Sequence, residues 1–358
     1  MRVLLSGMLV RTPHQGGATW AVLQWVLGLR ALGHDVTVVE QLPAPPTAAQ
    51  QAYAATVERQ TGVAPVLFSG EAGELARRSG PVDLLVNLSG ALRDEALLAL
   101  APARLYVDLD PGFTQVWHAM GADVGLPGHT AHATVGLCVG TAASPVPTGG
   151  LRWLAVLPPV VLDQWAPGPV RSPVVTSVGH WRSYGAVEWA GVSYGQRAHS
   201  ARRLLDVPGR SPLPVRLALG ISPQETADLV RLDEAGWTLL DPAVVAGTPD
   251  DYRAFVRGSA AELGIAKAGY VAARTGWFSD RSACYLAAGR PVVAQDTGWS
   301  AVLPTGPGLH AYDDADGAVA ALERVAADPA GASAAARELA REHLDARVVL
   351  ARLLAAVA

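Results

Sequence analysis

Two hydrophobic periods alternate at the start of the chain. Arg2–Gly7 is a short apolar run of strand type. Gly16-Gly17 follows, and Ala18–Leu32 then places Val22, Leu23, Val26, Leu27 and Leu29 at helical spacing. Gly33 is a natural helix stop, and Val36–Val39 reads as a buried strand. Strand, helix and strand joined in this way form a βαβ unit. Its strands must be parallel, because only a long crossover joins parallel neighbours. The class is therefore α/β.

The alternation continues through the chain. Strands are expected at Ala64–Phe68, Val82–Leu88 and Arg104–Leu109, and helices at Ala48–Gln60, Glu71–Arg78 and Asp94–Leu100. Residues 1–165 thus read as one doubly wound, Rossmann-like domain. The proline-rich stretch Leu157–Ser172 reads as a semi-rigid linker. A further alternation fills residues 173–340. Its strands are expected at Val174–Val178, Val215–Leu219, Thr238–Leu240, Leu263–Ala266, Pro291–Ala294 and Gly308–Ala311. Its helices are expected at Gln196–Leu205, Gln224–Glu234, Pro249–Arg257, Asp280–Ala288 and Asp316–Ala326. Ala332–Val357 reads as one long Ala-rich helix, and residues 341–358 are expected to pack back on the first domain. Two such halves place a ligand cleft between the C-terminal ends of their strands.

Composition narrows the partners. Net charge is −4 and no basic stripe is visible, so nucleic acid is not expected. The apolar run at the N-terminus is too short for a signal segment or a membrane span, and a cytoplasmic protein is expected. Cys138 and Cys284 form no CxxC pair, so structural zinc is not expected. Arginine supplies 27 of the 28 basic residues; the single lysine is Lys267.

That lysine opens the stretch with the clearest chemistry, Lys267 to Ser300. A strand end and a Gly-containing turn lead into a helix start, and a further strand ends in Asp-Thr-Gly. Helix starts favour phosphate, because free N–H groups and the positive end of the dipole face it. Arg274 and Arg281 bracket the turn, so a nucleotide diphosphate is expected there, on Gly276, Phe278, Ser279, Asp280 and Arg281. Ser279 is also a good helix cap and needs no further role. Asp280 would repel a diphosphate unless it holds an arginine or a sugar hydroxyl. Lys267, at a strand end, must find an anion or reach for water. Asp296, Thr297 and Gly298 close the next strand and are candidates for sugar hydroxyls. His180 and Arg182 follow the first strand of the second domain and are expected at the cleft. Arg197 and His199 read as an exposed helix face. Gly16 and Gly17 are expected to let backbone approach donor or acceptor closely.

Two segments together, residues 16–40 and 276–298, resemble the GT-B fold of nucleotide-sugar glycosyltransferases. Residues 16–40 hold a Gly-Gly loop, an amphipathic helix and a Leu-Gly-His-x-Val strand entry. Residues 276–298 are similar to the donor-binding helix of that fold and the strand after it. The resemblance implies two Rossmann-like doubly wound domains facing a cleft. It also implies a nucleotide-diphosphate sugar as donor substrate rather than a bound cofactor, a small-molecule or glycan acceptor, and no metal. One departure stands out. The Glu-x7-Glu pair of many retaining members falls on Gly276 and Cys284. A general base would then come from the first domain, with Asp110 and His129 as candidates. Asp108-Leu109-Asp110 also matches a metal-binding DxD, although Asp110-Pro111 makes a good helix start. A sugar-nucleotide epimerase and a non-catalytic binding module stay open as alternatives.

Overall fold

A computed structural model describes residues 1–357. Seven strands form a first, parallel sheet: β1 Arg2–Ser6, β2 Asp35–Leu42, β3 Val66–Ser69, β4 Leu84–Leu88, β5 Ala103–Asp108, β6 Ala131–Thr134 and β7 Trp153–Ala155. Their order is β3-β2-β1-β4-β5-β6-β7. The second domain contributes β8 Val175–His180, β9 Val187–Trp189, β10 Val192–Tyr194, β11 Val215–Gly220, β12 Thr238–Leu240, β13 Ala261–Gly264, β14 Val292–Gln295 and β15 Leu309–Tyr312. Six of these form another parallel sheet in the order β12-β11-β8-β13-β14-β15. With the β9–β10 hairpin set aside, the second sheet repeats the doubly wound order of the first six strands of the first sheet. Each sheet therefore has a switch point, at β1/β4 and at β8/β13, where a crevice opens.

The central strands carry the burial that parallel sheets require. All five residues of β4, Leu-Leu-Val-Asn-Leu, are buried. Four strands escape the hydrophobic pattern. β6 and β7 are three or four residues long, and β9–β10 is a small antiparallel hairpin. Its turn puts Ala190 at φ +47° and Gly191 at φ +78°, the backbone that a two-residue hairpin requires.

The domains share one core. It joins Trp20 and Val26 of the first domain to Tyr252, Cys284 and Tyr285 of the second and to Leu350 near the C-terminus. The helix Gly16–Ala31 is the centre of this seam. Trp20 donates its indole N–H to the Pro249 carbonyl (2.8 Å) and packs against Trp165 (ring centroids 5.0 Å apart). The stretch expected to be a semi-rigid linker is stitched down. Trp165 is fully buried, and the Val161 N–H donates to Gln24 Oε1 at 2.7 Å.

The long C-terminal helix is interrupted. Helix Pro329–Leu339 runs into a π-type turn at Ala340–Leu344, Asp345 is extended, and a new helix covers Ala346–Val357. The break sits where the chain crosses the linker: Val160 N–H donates to Leu344 (2.8 Å), and Ala346 N–H to Val160 (2.9 Å). The last helix lies on Gly16–Ala31. A methyl group at Gly28 would stand 2.6 Å from Leu350 and 2.8 Å from Ala346. Among the described residues no helix is long and apolar enough to cross a membrane.

Candidate functional site

A cavity of about 630 Å³ opens between the C-terminal edges of the two sheets, and both domains line it. This size suits a small-molecule site.

The first wall begins with the loop after β1. Glu40, buried at the end of β2, organises it by accepting the N–H groups of Leu9 (3.0 Å), Val10 (2.8 Å) and Arg11 (2.8 Å). Burial raises the pKa of this carboxyl, and the three N–H groups work against the rise. The Thr19 hydroxyl ties the same loop to helix Gly16–Ala31 through the Leu9 carbonyl (3.0 Å). The result is a fixed loop that holds His14 at φ +64°, exposed and facing the cavity. A left-handed histidine is uncommon, and such backbone persists only where its surroundings impose it.

The opposite wall carries the cations. Arg197 begins a short helix after the β9–β10 hairpin and lies across the end of β8. Its Nε donates to the Ile265 carbonyl (2.9 Å) and its Nη1 to the His180 carbonyl (3.4 Å). A methyl group at Gly179 would collide with this guanidinium, so glycine is what lets it lie there. Arg197 has no carboxylate partner among the described residues. Burial, with repulsion from Arg281, lowers its pKa to about 10. His180 is held below its ordinary value by burial, then by the nearby Arg197 and Lys267. A half-buried cation with no carboxylate partner, facing a cavity, is suited to hold an anion.

Lys267 lines the same cavity and reaches across the domain seam. Its Nζ donates to both carboxylate oxygens of Asp110 at 3.0 Å. Tyr184 and Tyr270 also donate their hydroxyls to Asp110. The ammonium stands 4.3 Å from the Tyr184 ring centre, 5.0 Å from that of Phe113 and 5.3 Å from that of Tyr270. Burial lowers the pKa of this lysine; the Asp110 charge acts in the opposite direction.

Several expected site residues need correction. Arg281 lines the cavity, yet its Nε donates to buried Glu262 and its Nη1 to the Val178 carbonyl (2.8 Å). Glu262 raises its pKa against the opposing effect of burial. Its charge is spent inside the protein. The helix start is capped by its own side chain: Ser279 Oγ accepts the Arg281 N–H (3.2 Å). Arg274 is exposed at φ +44° and does not line the cavity. Arg182 is paired with Glu225 at 2.6 Å, also outside it. Gly276, at φ +74°, packs on Cys138 rather than on the cleft.

The Asp-Thr-Gly turn serves its own backbone. Asp296 accepts the Gly298 N–H (2.8 Å) and the Ser300 hydroxyl (2.6 Å), and Thr297 donates to the Trp277 carbonyl (2.7 Å). Gly298 takes φ +100° to make that turn. Gly16 and Gly17 do line the cavity, but the space of their missing side chains is filled by the second domain. A methyl at Gly16 would stand 2.6 Å from the Ala246 carbonyl oxygen, and one at Gly17 would stand 2.9 Å from the Tyr252 ring.

The two expected bases fare no better. Asp110 is saturated by one ammonium and two hydroxyls. His129 contacts Asn87 (3.1 Å) and the Leu126 carbonyl (3.0 Å), away from the cavity. Asp108 of the DxD is buried and accepts from Thr114 (2.6 Å), Thr134 (2.7 Å) and Gln115 (2.8 Å), which makes it a structural hub. Among the described residues no cluster of three or more His, Cys, Asp or Glu side chains could hold a metal ion. Phe278, Ser279, Asp280 and His180 do reach the cavity.

No family model matches the chain, and no curated protein matches it by sequence. Solved structures do match. An α-glucosyltransferase in complex with UDP-glucose and DNA containing an abasic site is similar at TM-score 0.66 and 12% identity, over 100% of this chain and 99% of that one. HepE from Anabaena, in complex with UDP and glucose, is similar at TM-score 0.58 and 14% identity, over 99% and 100%. Sucrose-phosphate synthase from Thermosynechococcus elongatus is similar at TM-score 0.55 and 15% identity, over 100% of both chains. The chain has the GT-B fold. These matches also correct the exclusion of nucleic acid. Three of the similar structures are α-glucosyltransferases holding DNA, so the charge balance of a whole chain does not decide whether this architecture meets DNA.

Proposed function

We propose that this protein is a glycosyltransferase that moves a sugar from a nucleotide-diphosphate donor. The observation that carries the reading is Arg197, a guanidinium without a counter-ion facing a cavity at a topological switch point. The diphosphate lies against Arg197, and Lys267, whose ammonium is already shared with Asp110, stands beside it. These two cations stabilise the charge that develops on the leaving diphosphate as the glycosidic bond breaks. They fill the place a divalent cation would otherwise take, so turnover is expected to survive a chelator. Asp280, at the cavity surface, accepts a sugar hydroxyl. His14, on the opposite wall, takes the proton of the attacking acceptor. The shared fold of enzymes whose structures hold UDP or UDP-glucose supports the donor class.

The test is calorimetry with UDP, followed by NMR of UDP-glucose incubated with acceptor mixtures. Because similar structures hold DNA, duplex DNA belongs among those acceptors. Transfer supports the reading. Sugar isomerisation with no acceptor present points instead to an epimerase, and binding without turnover points to a binding module.

A further inference from the structure

The two walls differ in chemistry, and the first one speaks to the acceptor. Its lining contains no Lys, Arg, Asp or Glu. The surface behind His14 is made by Ala18, Ala21, Trp25, Leu109, Val135 and the Pro158-Pro159 pair. Gln24 also reaches the cavity, but its amide is engaged at both ends, with Val161 (2.7 Å) and with Cys284 (3.5 Å). His14 and Gln15 offer free polar side chains on this wall.

A ligand rich in hydroxyls would leave most of them unpaired here, at roughly 1–3 kcal/mol each. A flat apolar body is favoured by about 25 cal/mol for each Å² it removes from water. We infer that the acceptor presents an apolar ring to this wall and carries its single nucleophilic group at the His14 end. The inference rests on the glycosyltransferase reading and adds the acceptor class to it. The ring could belong to a free hydroxylated aromatic compound or to a nucleobase swung out of a duplex, and the test separates these sources.

The experiment titrates the full chain, saturated with UDP, with 4-methylumbelliferone, with methyl glucoside, and with a DNA duplex containing 5-hydroxymethyluracil. Each titration is repeated with Ala21→Asp and with Ala18→Asp, the latter at an exposed position where folding is not at stake. Saturable binding of the coumarin, weakened about 10-fold or more by both variants because each sets a carboxylate against the ring, supports the inference. UDP affinity should stay within about two-fold, since neither variant touches the cationic wall. If the duplex binds and is weakened in the same way while the coumarin is silent, the ring comes from a nucleobase. Methyl glucoside binding as tightly as either ring, or ring binding indifferent to both variants, overturns the inference. Failure of the donor reading shows separately, as absence of UDP binding in the unaltered protein.

Discussion

The second sheet repeats the order of the first six strands of the first, yet the C-terminal edges of the two meet the cavity with opposite chemistry. The second domain brings Arg197, Lys267, Arg281 and His180; the first brings a strained histidine, a glutamine and an apolar surface. Topology supplies the crevice twice, and side chains grafted on loops decide which half takes an anion. The cationic edge repeats the lesson on a smaller scale. Arg281 and Arg197 both lie beside the cavity. One is neutralised by Glu262; the other has only carbonyl oxygens. Being near the cleft and being available to a ligand are separate properties.

The sharpest way to break this contrast is to remove each arginine in turn. Arg281→Ala leaves Glu262 buried and unpaired, which is expected to cost roughly 3–5 kcal/mol of stability. Thermal unfolding should show the loss, and replacing both partners, as in Glu262→Leu with Arg281→Met, should recover much of it. Arg197→Ala is expected to leave melting within a few degrees and to lower UDP affinity by about 10- to 150-fold, equivalent to roughly 1.5–3 kcal/mol of charge-assisted hydrogen bonding. Should the two variants exchange phenotypes, the assignment of structural and ligand-binding arginines is wrong.

The reason the sequence misled on these two residues is physical. Arg281 sits in a helix start with the makings of a phosphate site, and its partner Glu262 lies on another strand. Only the pairing of β13 beside β8, and the helix seated above them, brings the two together. Arg197 follows a hairpin whose strands are too short to be seen by periodicity, so its helix read as a surface face. The doubly wound halves were legible because strand and helix periods alternate over dozens of residues. The bend at Ala340–Leu344 was not, because an Ala-rich run has no local signal for a crossing chain. His14 sits on the loop after β1 and faces the cavity. The start of its loop is fixed by Glu40, a contact between distant positions.

A smaller effect concerns the seam. Asp110 joins the first domain to Lys267 of the second, with side chains only 24% and 15% exposed. Asp110→Asn keeps the shape and removes the charge. Melting should fall by several degrees, for a cost of roughly 1.5–3 kcal/mol. Lys267 should become easier to deprotonate, because the charge that opposes its downward shift is gone. A variant whose lysine, followed by NMR, titrates higher than in the unaltered protein would contradict the pairing.

The smallest expected effect is on pH dependence, and it again separates the two walls. His180 lies at the cationic edge and is held below its ordinary pKa, first by desolvation from the surrounding wall and then by Arg197 and Lys267. In the free protein this favours the neutral imidazole. A diphosphate bound beside it favours the imidazolium, so binding takes up a proton. Affinity for UDP should therefore rise as pH falls from 8, and level off once the histidine is protonated without ligand. The ligand's own titration contributes equally to any variant, so the difference from His180→Gln isolates this residue. A few-fold loss of the pH-dependent gain in His180→Gln, with no such loss in His14→Gln, is the expected pattern. Equal slopes in all three proteins would place the diphosphate away from β8, and the cationic wall would lose its assigned ligand.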